Sequence, residues 1–200
     1  ISGGTLSNFN VTSNTVYTAT MTPDDEGLIT LDVAANSFTD ATGNNSLGAT
    51  QFNWTYDNTS PTVSITASNG NEAVVDGSTT NDTTLILTFT SSEKTTNFSI
   101  DDITVSGGVI KDFNLISGNV YSGTFTPDKE GATTIDVAAN TFTDEATNNN
   151  IAATQFNWTF NKTNPIITIS ATNGETIVAN GAVSDDASLI ITFTTSTATS

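Results

Sequence analysis

GLITLDVAANSFTDATGNNSLGATQFNWTYDNTSP, residues 27–61, returns with few changes as GATTIDVAANTFTDEATNNNIAATQFNWTFNKTNP at residues 131–165. Trp54 recurs as Trp158 and Pro61 as Pro165, an offset of 104 residues in both cases. The same offset carries Tyr17 onto Tyr121, Pro23 onto Pro127, Asp40 onto Asp144, Gly70 onto Gly174 and Phe89 onto Phe193, with no insertion or deletion. A period held along the whole chain is the mark of a tandem repeat, and about 100 residues is a common size for a domain with its own core. The expected domains are residues 1–58, the later part of one unit, residues 59–162, a complete unit, and residues 163–200, the earlier part of a third. Together the two partial units lack the equivalents of residues 97–104. We expect a longer continuous chain to complete them, in preference to exchange between two molecules.

Short alternating segments rich in Thr, Val, Ile and Phe are separated by clusters of Gly, Asn, Asp and Pro, and helical periodicity is missing. That is an all-β pattern. In the complete unit Val63 and Ile65 alternate with polar neighbours, Leu85, Leu87 and Phe89 share a face, and so do Tyr121 with Phe125, Ile135 with Val137, and Phe156, Trp158 and Phe160. FSIDDITVSGG from Phe98 reads as a further strand, SGG at residues 106–108 as a hairpin, and TPDKEG at residues 126–131 as a loop between antiparallel strands. About seven strands in about 100 residues is the count and size of an immunoglobulin-type sandwich. TSP and TNP separate the units; proline there stiffens a very short linker, so the expected array is an extended rod of tandem sandwiches.

Twenty-one acidic residues stand against four lysines, with no arginine and no histidine, for a net charge of −17. Such a field repels polyanions, so nucleic acid is not an expected partner. Neither cysteine nor histidine is present, which removes disulfides, thiol chemistry, the usual general base and an ordinary zinc site. The adjacent carboxylates Asp101 with Asp102 and Asp185 with Asp186 point to opposite faces if they lie on strands and make poor catalytic dyads. No apolar run approaches the length of a membrane helix. N-x-S/T triplets occur at the frequency that the Asn, Ser and Thr content alone produces, and no lysine recurs at the 104-residue offset, which argues against a built-in Lys–Asn crosslink.

PTVSI, LTFTSSE, DDITVSGG, YSGTFTPDKEG, IDVAANTFTDEATNNN and FNWTF resemble the bacterial immunoglobulin-like repeats of very large cell-surface and secreted adhesins, and the resemblance spans the chain. It implies an extracellular sandwich that acts as a spacer, stalk or adhesive module, often with calcium near the domain junctions. Relatives usually read D-x-A-G-N in the loop before the last strand. DATGN at residues 40–44 stays close, whereas DEATN at residues 144–148 has Thr147 in place of glycine.

Calcium takes six to eight hard oxygens and accepts mixed carboxylate, amide and carbonyl sets. The expected ligands are Asp40 and Asn44 with Asp57 at the first junction, and Asp144 and Asn148 with Asn161 at the second. Glu93, Asp101 and Asp102 would complete a site from the next domain. Asp57 becomes Asn161 and Asn58 becomes Lys162 in the second linker, so the first junction is the stronger candidate. The expected function is a non-enzymatic stalk or fibre segment of an extracellular surface adhesin or filament. Its expected partners are neighbouring repeats, like chains in a filament, or a surface, host or matrix ligand. A laterally assembling sheath or surface-layer subunit is the first alternative, and an accessory carbohydrate-binding module of a secreted enzyme the second.

Overall fold

A computed structural model describes residues 1–198. Residues 1–58 contain β1 (Gly4–Val11), β2 (Tyr17–Pro23), β3 (Gly27–Leu31) and β4 (Phe52–Tyr56). The complete unit contains β5 (Val63–Ser68), β6 (Ala73–Val74), β7 (Thr79–Thr80), β8 (Leu85–Ser91), β9 (Ile103–Ser106), β10 (Gly108–Ser117), β11 (Val120–Pro127), β12 (Gly131–Val137) and β13 (Phe156–Phe160). The last segment adds β14 (Ile167–Thr172), β15 (Ile177–Val178) and β16 (Ile190–Thr195). In the complete unit the seven strands of four residues or more match the number expected from alternation; β6 and β7 are two-residue additions.

Two sheets make the complete unit. One runs β10-β11-β8-β5-β6 and the other β7-β13-β12-β9. All pairs are antiparallel except β13 with β7. Because strand side chains alternate between faces, Leu85, Leu87 and Phe89 of β8 and Tyr121 and Phe125 of β11 meet Ile135, Val137, Phe156 and Trp158 across the sandwich. Each of these large side chains contributes about 1.5–3 kcal/mol by leaving water. Trp158 lies edge-on to Phe125 at 6.1 Å, and its indole N–H donates to Thr80 Oγ1 at 3.0 Å, so its one polar atom is satisfied inside the core.

Three local expectations change. SGG at residues 106–108 is not a hairpin: β9 pairs with β12 and β10 with β11, so the glycines carry the chain from one sheet to the other. Gly107 has φ +77°, and a Cβ on Gly108 would stand 2.5 Å from both the Thr126 carbonyl and the Phe125 ring. Only a bare backbone passes there. TPDKEG likewise joins β11 to β12 in the opposite sheet. In FSIDDITVSGG the strand begins only at Ile103, because Asp102 accepts hydrogen bonds from the Ser99 N–H (2.8 Å) and hydroxyl (3.2 Å) and closes the 3-10 turn Ile100–Asp102. Phe98, just before that turn, is buried among Phe89, Phe113, Tyr121 and Phe142 at centroid distances of 4.8–6.1 Å.

Candidate functional site

The loop between β12 and β13 is organised by one carboxylate. Asp144 Oδ1 accepts from the Asn148 backbone N–H (2.8 Å), Oδ2 accepts from the Asn148 side-chain amide (2.9 Å), and the Asp144 N–H donates to the Asn148 carbonyl (3.2 Å). These bonds bend the chain back on itself. Thr147 is thereby held at φ +73°, the left-handed region that Gly43 occupies at φ +87° in the first copy. The substitution of threonine for glycine leaves the loop geometry in place and loads it with steric strain. Asn150, also buried, accepts the N–H groups of Thr141 (2.8 Å) and Phe142 (3.1 Å) and donates to the carbonyls of Ala138 and Ile151. No sequence signal marked this residue, because its counterpart is Ser46.

Since β12 and β13 are antiparallel neighbours, their connecting loop lies at the end of the sandwich where the chain enters from the preceding unit. The Ile151 N–H donates to the Pro61 carbonyl (2.9 Å) and the Asn148 amide to the Asp57 carbonyl (3.2 Å), which ties loop to linker. On the other side, Glu26 from the TPDDEG loop accepts from the Asn58 N–H (2.9 Å) and the Thr59 hydroxyl (2.7 Å). Glu130 repeats both bonds with Lys162 and Thr163, each at 2.8 Å. This glutamate clasp recurs at both linkers; the 104-residue recurrence of Glu26 as Glu130 was the available signal.

Beyond β8 the chain pairs briefly at Thr95 with Asp144, and that brings Glu93 to the same place. Asp57, Glu93 and Asp144 each offer a carboxylate oxygen, all within 4.8 Å of one another. Asp144 is 1% exposed and the other two half-buried. Burial, then the charges of Asp57, Asp144 and Glu26, push the Glu93 carboxyl above its ordinary range. Lys94, the neighbouring ammonium, goes to Glu145 at 3.4 Å on the exposed rim, where an ion pair contributes little. Oxygens up to 4.8 Å apart fit a ligand shell of about 2.4 Å radius, the calcium–oxygen distance. The donor set is all hard oxygen and lacks a compensating cation, so the residues fit calcium.

The grouping differs from the one the sequence suggests. Asp40 and Asn44 do not join Asp57, nor Asp144 and Asn148 join Asn161, because in each unit the loop and the outgoing linker leave opposite ends of the last strand. Asp57 instead meets Asp144 and Asn148 of the following unit. Of the residues expected to complete the site, Glu93 is at the cluster, whereas Asp101 is exposed on the 3-10 turn and Asp102 is engaged with Ser99. Asp40 repeats the internal bonds of Asp144, accepting from Asn44 at 2.9 Å through both its backbone and side-chain nitrogens, and Asn44 and Thr42 together hold its carboxyl well below the usual carboxylate range. In the second linker Asn161 accepts from the Thr163 N–H (2.9 Å) as Asp57 does from Thr59 (3.0 Å), and the counterpart of Glu93 is Thr197.

Comparison with curated proteins and with solved structures gave no match. A family model described as the bacterial Ig-like domain matches twice, over residues 1–56 and 57–160, so that Asp57 opens the second match. Two matches in register with the repeat, on a two-sheet sandwich, identify the chain as a member of the bacterial Ig-like domain family.

Proposed function

We propose that this chain is a non-enzymatic structural segment of an extracellular array of Ig-like repeats at a bacterial surface, and that calcium stiffens the junction entering the complete unit. Bacterial Ig-like domains are commonly extracellular or surface proteins, and among the described residues no helix is long and apolar enough to cross a membrane. The observation that carries the reading is the convergence of three carboxylates from linker, strand end and loop on one point. Asp57 would bring the linker, Glu93 the chain beyond β8, and Asp144 the loop; the Asn148 amide, donating to the Asp57 carbonyl and to the Asp144 carboxylate, already ties linker to loop. Bound calcium would supply the positive charge that three neighbouring carboxylates lack.

The test is thermal unfolding and small-angle scattering of residues 1–200 in EDTA and at about 10⁻³ M calcium, the range in which extracellular calcium modules bind. Calcium should raise the melting temperature and narrow the distribution of shapes, and Asp57→Asn should abolish both responses. Identical curves with and without calcium would sink the junction site while leaving the structural role standing.

A further inference from the structure

Strands β5, β8 and β11 of the complete unit turn an array of hydroxyls outward. Their core residues take one face, so the alternate residues point away from the sandwich. Register sets these in rows across the sheet: Ser64 beside Thr90, Thr66 beside Thr88 and Ser122, and Ser68 beside Ile86 and Thr124. The rows return in the last segment, where Thr168 stands opposite Thr194 and Ser170 opposite Thr192. At the 104-residue offset Thr88, Thr90 and Thr124 recur as Thr192, Thr194 and Thr20. Ser64, Thr66, Ser68 and Ser122 become Thr168, Ser170, Thr172 and Thr18, so four of seven positions exchange serine with threonine and none loses its hydroxyl. Strand propensity favours threonine but not serine; what persists through the exchanges is the hydroxyl.

The same strands are free of negative charge. The chain has 21 acidic residues and a net charge of −17, yet among the described residues β5, β8 and β11 contain no Asp or Glu, nor do their counterparts β14, β16 and β2. The other sheet, by contrast, has Asp136 among the outward residues of β12. We propose that this face is where two arrays meet side by side, the hydroxyl face of one copy packing on the same face of a second copy. Chains this acidic repel one another wherever carboxylates approach, and this face brings none together. Serine and threonine are short, so two such sheets can close to about 10 Å, the spacing of stacked sheets. Hydroxyls then exchange hydrogen bonds and methyls leave water. Among the described residues the outward side of these three strands carries no aromatic ring on which a sugar would stack and no row of cations for an anion. One patch used by both partners makes the contact isologous.

Three strands about 4.8 Å apart and about seven residues long present roughly 350 Å² per copy, under half of the about 800 Å² per partner in a stable interface. One unit therefore associates weakly, and successive units of an array add their contacts. Ion-pair interfaces weaken as salt rises. This one strengthens, because salt screens the repulsion between the acidic surroundings and leaves the neutral contact as it was. No carboxylate takes part, so the contact is independent of the calcium site at the junction.

Sedimentation velocity of residues 1–200 in EDTA reads the association. Mass should rise with protein concentration, and raising salt from about 0.01 M to about 1 M, which shortens the screening length from about 30 Å to about 3 Å, should tighten association about tenfold. Thr66→Asp with Ser122→Asp, which flank Thr88 in its row, should hold the mass at 20.8 kDa with the near-ultraviolet dichroism of Trp158 retained. The chain contains no cysteine, so Thr88→Cys at the centre of the face reports the contact directly: mild oxidation should link two chains, and Thr134→Cys on the outward side of β12 should link none. A one-chain mass at every protein and salt concentration would overturn the proposal, even if the face then retained a neutral glucan. So would a mass rise that survives Thr66→Asp with Ser122→Asp, or crosslinking at Thr134→Cys as ready as at Thr88→Cys.

Discussion

Residues 27–61 and 131–165 are nearly one sequence written twice, yet their surroundings differ. β3 pairs with β4 as β12 pairs with β13, in the same register from Gly27 opposite Tyr56 to Gly131 opposite Phe160. Asp40 and Asp144 close their loops with the same asparagine bonds. Trp158, however, is 1% exposed and Trp54 half-buried, while Asp144 is buried and Asp40 exposed. Strand pairing and loop closure depend on neighbours within about 30 residues and repeat faithfully. Burial depends on β5, β8 and the incoming linker, which only the second copy has over it.

The sharpest way to break this comparison is to truncate the two tryptophans. Trp158→Ala should remove about 3–5 kcal/mol from the complete unit, the usual cost of deleting a large buried aromatic, out of a typical total of about 5–15 kcal/mol. Trp54→Ala, in a strand without its covering sheet, should leave the main unfolding transition where it was. Urea denaturation followed by far-ultraviolet dichroism reads both; a Trp158→Ala chain that unfolds with its parent would show that the second copy is no better covered than the first.

The loops sharpen it next. Thr147 occupies a backbone region that costs a non-glycine residue about 1–2 kcal/mol, while glycine gives back about 0.5–1 kcal/mol through its greater freedom when unfolded. Thr147→Gly should therefore stabilise the complete unit by about 0.5–1 kcal/mol, and Gly43→Thr should loosen the first loop, seen as faster amide exchange at Asn44. Equal or lower stability for Thr147→Gly would mean that the threonine side chain makes contacts which outweigh its strain.

The smallest effect is electrostatic and belongs to the second copy alone. The Glu93 carboxyl is raised in the folded state above its ordinary 4.5, so protonation favours folding. Its contribution is fully present below pH 4.5 and is lost as pH rises through the elevated folded value. In EDTA, Glu93→Gln should be the more stable chain at pH 7, and the difference should shrink as pH falls towards 4.5. A constant offset between the two denaturation midpoints across that window would remove the cluster of like charges as its cause.

Much of this was open to inspection in the sequence. The inward faces of β8, β11, β12 and β13 follow from period-2 alternation, and the repeat from a single offset. The sheet partners were not legible: SGG and TPDKEG carry ordinary turn residues, and the same residues serve a hairpin or a change of sheet. Of the metal candidates, Glu93 was placed with Asp57 and meets it, whereas Asp40 and Asp144 were paired with the linkers that leave their own units, because a linear reading places Asp57 beside the loop that precedes it in sequence.

The amino-acid sequence by itself determined the repeat, the strand class, the inward-facing residues and the loop closures at Asp40 and Asp144, since each rests on contacts between near neighbours or on alternation along one strand. Only the tertiary structure decided which end of the sandwich each loop occupies and that Asp57, Glu93 and Asp144 share one point. It also decided which copy of each apolar residue is covered. The physical reason is that an antiparallel strand returns its two ends to opposite poles: residues 87 apart, Asp57 and Asp144, meet, while Asp40 and Asp57, 17 apart, do not.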